Sequence, residues 1–199
     1  MVGFGGGTLN AMTDALIIDA VRTPIGRRNG ALAGVRAEEL AAQVLNGLVS
    51  RHDLEPGEIE DVQMGCVSQV GEQALNVARM SALVAGWPET VCGTSIDRQC
   101  GSSMQAAFNA SSAIQAGHLD VVVASGVESM SRVPMGSNLT VNGFEGFSPK
   151  LYEHWEVVPH TVSGQPATRA DMRATFSACS PTWLTHPIWT SSISPGSRS

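Results

Sequence analysis

The chain has 199 residues, of which 43% are hydrophobic and 15% are charged. This balance excludes a chain that is disordered from end to end. Its 12 basic and 18 acidic side chains give a formal charge of −6. Since the densest basic cluster is the pair Arg27 and Arg28, the sequence predicts binding neither to nucleic acid nor to an anionic membrane.

The first residues, 1–13, read as a flexible, glycine-rich leader. They have neither the basic start nor the apolar stretch of a secretory signal, so a cytoplasmic location is expected. The longest apolar runs, such as 15–18 and 121–124, are far shorter than the roughly 18 residues that a membrane-spanning helix needs. The sequence therefore predicts no membrane span.

From residue 15 onward, short β-type runs alternate with segments of helical periodicity. The helical pattern is clearest at 37–50, where Leu40, Val44 and Leu48 recur on one face. The predicted order is strand 15–21, helix 37–50, strand 59–67, helix 76–85, strand 94–99, helix 101–116 and strand 121–125. This β-α-β-α-β-α-β order predicts an α/β fold with a mostly parallel sheet and chemistry at the carboxyl ends of its strands.

The third predicted helix has no charged side chain between Arg98 and Asp120. Met104, Phe108 and Ile114 share one apolar stripe with Ala107, and the other faces carry alanine and serine. A helix that is apolar or small all round is usually buried all round, which is the prediction here. The alternative is an alanine-rich helix that is half exposed.

The last 40 residues, 160–199, differ in composition from the rest. They contain 8 Ser, 6 Thr and 4 Pro, no Glu and no Lys, and show neither helical nor strand periodicity. We expect this segment to be a disordered tail.

The four cysteines are Cys66, Cys92, Cys100 and Cys179, and they form no C-x-x-C pair. Neither a zinc site nor a disulfide framework is predicted, and the five scattered histidines suggest no metal site. A buried, inert cysteine is the expectation for Cys66 and Cys92, and Cys179 lies in the tail.

Cys100 stands where a predicted strand meets the start of the charge-free helix. The helix dipole and unpaired backbone N–H groups favour a thiolate at such a position. Gly101 would let an acyl group approach the main chain, and the N–H groups of the first helical turn could hold an oxyanion. An inert buried cysteine remains the alternative if position alone is considered.

The segment DRQCGSSMQA at 97–106 resembles the nucleophile segment of the thiolases, the family of acetyl-CoA acetyltransferase and 3-ketoacyl-CoA thiolase. Three further segments resemble the same family in order and spacing: DAVRTPIG at 19–26, NVAR at 76–79 and ASGVESMS at 124–131. FSPKL at 147–151 is similar to the beginning of the family's inserted loop domain.

The resemblance implies an acyltransferase of fatty-acid metabolism in which Cys100 takes an acyl group from acyl-CoA as a thioester. Gly101 would line the acyl pocket, and Asn76 with Arg79 would support the nucleophile loop near a dimer interface. Coenzyme A thioesters would be substrates, with no resident cofactor and no metal. The chain would bind acyl-CoA or CoA. Its protein partner would be either a second copy of the chain or a complementary thiolase chain.

The resemblance covers the amino-terminal half of a thiolase only. It implies a thiolase domain at 14–132, the incomplete start of the loop domain at 133–159 and a non-homologous tail at 160–199. The family's catalytic histidine and second cysteine belong to its second half, and the surroundings of His186 and Cys179 match neither. The resemblance therefore leaves two alternatives: an acyltransferase weakened by truncation, or a non-catalytic fragment that is a decayed product or a partner of another chain.

Overall fold

The computed structural model describes residues 14–140 and 190–195. Its elements are β1 (Ala15–Val21), α1 (Ala37–Val49), β2 (Asp61–Gly65), α2 (Val77–Val84), β3 (Cys92–Ile96), α3 (Ser102–Gln115), β4 (Val122–Gly126), the short α4 (Ser137–Thr140) and β5 (Thr190–Pro195). All seven predicted elements are present, with ends that differ by at most three residues. The predicted leader, most of the predicted loop-domain start and most of the predicted tail, including Cys179, lie outside the described residues.

The strands form one five-stranded sheet in the order β1-β5-β4-β2-β3. Strand β2 runs parallel to both β3 and β4, whereas β5 runs antiparallel to both β1 and β4. The four strands predicted from the sequence therefore all point the same way. The prediction of an α/β fold with a mostly parallel sheet is confirmed, and the antiparallel β5 makes the sheet mixed.

Strand β5 corrects the expectation of an unfolded tail for residues 190–195. The run Thr-Ser-Ser-Ile-Ser-Pro has little of the β-branched and aromatic content that marks a strand in a sequence. It becomes a strand because β1 and β4 offer it backbone partners on both sides, from Ala15↔Pro195 to Val21↔Thr190 and from Val122↔Ile193 to Ala124↔Ser191. This strand depends on pairing with distant residues and not on a local pattern.

Helices cover both faces of the sheet, as a parallel sheet requires. Helices α1 and α2 lie on one face, where the main hydrophobic core includes Leu45, Leu48, Met64 and Val77. Helix α3 lies on the other face over a smaller core of Ala110, Ile114, Val122 and Ala124.

The described structure corrects the prediction that α3 is buried on every side. Its buried stripe consists of Ser102, Ala106, Ala110 and Ile114, most of them small, because small side chains let the helix backbone approach the sheet closely. Met104 and Phe108, which the sequence analysis placed on a core stripe, are 60% and 54% exposed. The half-exposed alternative therefore holds, with an open apolar surface on α3.

No helix within the described ranges is long and apolar enough to cross a lipid bilayer. In the same part of the chain, no three side chains of His, Cys, Asp or Glu gather into a group that could hold a metal ion.

Candidate active site

Cys100 lies at the junction that the sequence predicts. Strand β3 ends at Ile96, α3 begins at Ser102, and Cys100 is exposed in the turn between them. The positive end of the α3 helix dipole therefore faces the residues of this turn. The predicted extension of the strand to Gln99 is wrong, because Gln99 adopts the left-handed conformation at φ 48° and cannot continue a strand.

Local hydrogen bonds close this turn, which spans residues 97–102. The backbone N–H of Gln99 donates to Oδ1 of Asp97 at 2.9 Å. The N–H of Gly101 donates to the carbonyl of Arg98 at 3.0 Å, and that of Ser102 donates to the carbonyl of Gln99 at 3.1 Å. Because these two donors are engaged within the turn, the expectation that the first helical turn supplies an oxyanion site does not hold for the N–H groups of Gly101 and Ser102.

The side chain of Ser102 adds two more bonds to the same turn. Its Oγ accepts from the N–H of Arg98 at 2.9 Å and donates to the carbonyl of Gln99 at 2.6 Å. Ser102 is only 6% exposed. Sequence reasoning gave it no role, although it lies within the DRQCGSS segment that carries the resemblance.

Two glycines bring the first turn of α3 against the carboxyl ends of two strands. A Cβ on Gly65, the last residue of β2, would lie 2.2 Å from the backbone nitrogen of Ser103. A Cβ on Gly126, the last residue of β4, would lie 2.6 Å from the Cβ of Ser103. The helix that follows Cys100 therefore sits at a distance from the sheet that only glycine permits.

Asn76 fastens α2 to β3, and Arg79 fastens it to the segment just before β3. Asn76 precedes α2 at φ 61°, and its Oδ1 accepts from the N–H of Arg79 at 3.2 Å and from Oγ of Ser95 at 3.0 Å. Its Nδ2 donates to the carbonyl of Gly93 at 2.7 Å. The Arg79 guanidinium donates to the carbonyls of Glu89, at 2.8 Å, and Val91. Both residues thus brace the strand that leads to Cys100.

A third set of bonds joins the loop after β2 to the loop after β4. The Glu128 carboxylate accepts from the N–H groups of Val67 and Ser68 at 2.8 and 3.3 Å and from Nε2 of Gln73 at 2.9 Å. The Gln73 Oε1 in turn accepts from the N–H of Ser129 at 2.7 Å. Sequence reasoning gave Glu128 a supporting role and missed Gln73, a fully buried polar residue with no local signal.

The other described cysteines differ from Cys100 and from each other. Cys66 is buried, and desolvation, with the negative charge of Glu128 as the next cause, raises the pKa of its thiol well above the ordinary value. Cys66 therefore stays protonated and inert, as expected. Cys92 is exposed, so the expectation of burial is wrong for it: β3 lies at the edge of the sheet and leaves its first residue open.

Two histidines lie within the described residues. The ring of His52 contacts Oδ2 of Asp19 at 2.7 Å. His118 follows the carboxyl end of α3, whereas Cys100 precedes its amino end, and a helix of 14 residues is about 21 Å long. His118 is therefore too far from Cys100 to take its proton.

Comparisons with known proteins agree with the resemblance found in the sequence. The family model described as the thiolase N-terminal domain matches residues 15–164. Steroid 3-ketoacyl-CoA thiolase FadA6 of Mycobacterium tuberculosis is 49% identical over 149 residues, which cover 75% of this chain and 37% of that protein. A 3-ketoacyl-CoA thiolase of Photobacterium profundum is 48% identical over 176 residues, covering 82% of this chain and 46% of that protein.

A solved structure agrees as well. The crystal structure of the acetyl-CoA acetyltransferase of Bacillus anthracis superposes with a TM-score of 0.59 at 49% identity, over 61% of this chain and 31% of that one. The chain thus spans less than half the length of these relatives. With the family match at residues 15–164 and the strand–turn–helix junction at Cys100, the chain belongs to the thiolase family, of which it carries the amino-terminal domain.

Proposed function

We propose that this chain carries out the acylation half of the thiolase reaction, with Cys100 as nucleophile. The observation that supports it is an exposed thiol placed directly before the amino end of α3. The Cys100 Sγ attacks the carbonyl carbon of an acyl-CoA, a new S–C thioester bond forms, and the bond from that carbon to the CoA sulfur breaks. Coenzyme A leaves with the proton that the cysteine thiol gives up.

Supporting roles follow from the same geometry. Gly101 lies between the thiol and the helix and is the residue beside which the acyl group would pass. Asn76 holds β3, and Arg79 holds the segment just before it, so that β3 and the nucleophile turn that follows it keep a fixed place relative to α2. Coenzyme A thioesters are substrates in this proposal, and no step requires a metal or a resident cofactor. A cytoplasmic location stays a prediction of the sequence.

Complete turnover needs a base and a second cysteine, which the resemblance assigns to the second half of a thiolase. We therefore propose that repeated turnover requires a partner chain that carries this second half. The exposed Met104 and Phe108 of α3 support association, because apolar side chains exposed together on one helix favour burial against a partner.

The experiment is acylation by radiolabelled acetyl-CoA, followed by peptide mapping. One acyl group should appear on Cys100, Cys100→Ala should abolish it, and Cys92→Ala, which removes the other exposed cysteine of the described residues, should not. Label that persists in Cys100→Ala would overturn the proposed nucleophile.

A second assay separates the enzyme from the non-catalytic fragment. The chain is mixed with acetoacetyl-CoA and CoA, and the acetyl-CoA formed per chain is counted. We expect at most one acetyl transfer per chain when it is pure. Many turnovers by the pure chain would show that it needs no partner, and the absence of any acylation would favour the fragment alternative.

A further inference from the structure

We propose that Ser102 is the positioning residue of the nucleophile turn, an inference that rests on the proposed role of Cys100. One hydroxyl group serves two backbone groups of the turn: it accepts from the N–H of Arg98 at 2.9 Å and donates to the carbonyl of Gln99 at 2.6 Å. The N–H and the carbonyl belong to Arg98 and Gln99, the two residues that immediately precede Cys100.

The turn needs such a restraint because Gln99 is held at φ 48°. For a residue with a side chain, the left-handed conformation is unfavourable, so it persists only where the surroundings impose it. The Ser102 hydroxyl links the N–H of Arg98 to the carbonyl of Gln99 and so closes a ring through the backbone of Gln99. This ring restrains both φ and ψ of Gln99.

Ser102 can impose this geometry because it is itself fixed. It is the first residue of α3, and its carbonyl carbon lies 2.4 Å from where a Cβ on Gly65 would be. The helix start is therefore seated on β2, and the buried hydroxyl transmits that fixed position to the turn. Cys100, between Gln99 and Gly101, is placed by the sheet through Ser102.

The Ser102 hydroxyl fixes the position of the nucleophile turn and does not take the proton of the Cys100 thiol. Its single hydrogen is committed to the carbonyl of Gln99, one of its two lone pairs accepts from the N–H of Arg98, and a neutral hydroxyl is too weak a base to take the thiol proton. It therefore does not serve as the base that removes the thiol proton.

The test compares Ser102→Thr with Ser102→Val in the full chain, because these side chains have the same shape and differ only in the hydroxyl. Ser102→Ala and Ser112→Ala complete the set, since Ser112 is exposed near the other end of the same helix. Acylation by acetyl-CoA is measured first. Loss of the hydroxyl should slow it by about 10-fold or more, the effect of displacing a reacting atom by a fraction of an ångström to one ångström.

The second readout does not depend on the proposed function. Iodoacetamide alkylates the two exposed cysteines of the described residues, and the ratio of the Cys100 rate to the Cys92 rate is followed by mass spectrometry. This ratio should fall about threefold in Ser102→Val and Ser102→Ala, as the thiol loses its alignment with the helix dipole. It should stay at the wild-type value in Ser102→Thr and Ser112→Ala.

The two readouts keep the proposals apart. If wild-type Cys100 is alkylated but never acylated, the proposed function fails, while the alkylation ratios still decide the role of Ser102. If Ser102→Val and Ser102→Thr give equal ratios, the positioning role is overturned. Should Ser102→Ala unfold, the Thr and Val pair alone decides it.

Discussion

Gly65→Ala is the substitution that tests the packing beneath the candidate nucleophile. The added Cβ would lie 2.2 Å from the nitrogen and 2.7 Å from the Cα of Ser103, and 2.4 Å from the carbonyl carbon of Ser102. All three atoms belong to the backbone of α3, so no side-chain rotation relieves the contact. The start of the helix has to withdraw by about 1 Å, and overpacking of this kind costs about 1 to 3 kcal/mol.

The same displacement moves the turn that holds Cys100. We expect Gly65→Ala to lower the free energy of unfolding by about 2 kcal/mol and to slow acylation of Cys100 by up to about 100-fold. Urea unfolding followed by circular dichroism measures the first quantity, and transfer of label from acetyl-CoA measures the second.

Gly47→Ala is the matched control. Gly47 lies inside α1, and a Cβ there would meet nothing within 4 Å. Alanine is the better helix former by about 1 kcal/mol, so this variant should be as stable as the wild type or more stable, with acylation unchanged. Wild-type stability and wild-type acylation in Gly65→Ala would refute the claim that the helix start rests on this glycine.

Three further predictions follow from other contacts. Asn76→Ala should lower the free energy of unfolding, measured in urea, by about 2 kcal/mol, because alanine cannot cap the helix and is strained in the left-handed conformation. Asn76→Gly should lose less stability because glycine adopts that conformation without strain, and equal losses in the two variants would contradict this. Burial raises the pKa of Asp61 above its usual 3.8, so the stability from this group is present below that pH and is lost as pH rises through the folded pKa. In Asp61→Asn, the unfolding temperature should no longer show this decline between pH 3 and 8. If the slope of unfolding temperature against pH stays as in the wild type, the prediction is contradicted. Phe108→Ser should reduce the binding of a hydrophobic dye and self-association in sedimentation, with stability nearly unchanged because the ring is 54% exposed; undiminished dye binding would place the apolar surface elsewhere.

Hydrophobic periodicity predicts the helices and the first four strands well, because each has its own local pattern. The apolar positions of α1 repeat every three to four residues, and the buried ones include Val44, Leu45 and Leu48. The face of α3 that packs was predicted wrongly. Hydrophobicity points to Met104 and Phe108, whereas close packing on the sheet selects Ala106 and Ala110.

The site divides in the same way. Cys100, Asn76 and Arg79 come from segments that resemble a family, so the sequence alone is enough to select them. Ser102 acts through hydrogen bonds within its own turn, and Gln73 acts through a bond to Ser129 that folding brings close. A serine or glutamine carries no mark of either bond in its neighbours. Cys92 shows the converse, since only the position of β3 at the sheet edge decides that its thiol is exposed.

By itself, the amino-acid sequence determined the order of the elements, the parallel direction of the first four strands and the place of Cys100 before a helix, because these depend on local periodicity and on a short motif. Only the tertiary structure decided that Thr190–Pro195 is a strand, that Gln99 is left-handed and that Gly65 touches the backbone of α3. The strand and the Gly65 contact depend on atoms far apart along the chain, and Gln99 is held by a helix start that is seated on Gly65, so all three exist only once the sheet has formed.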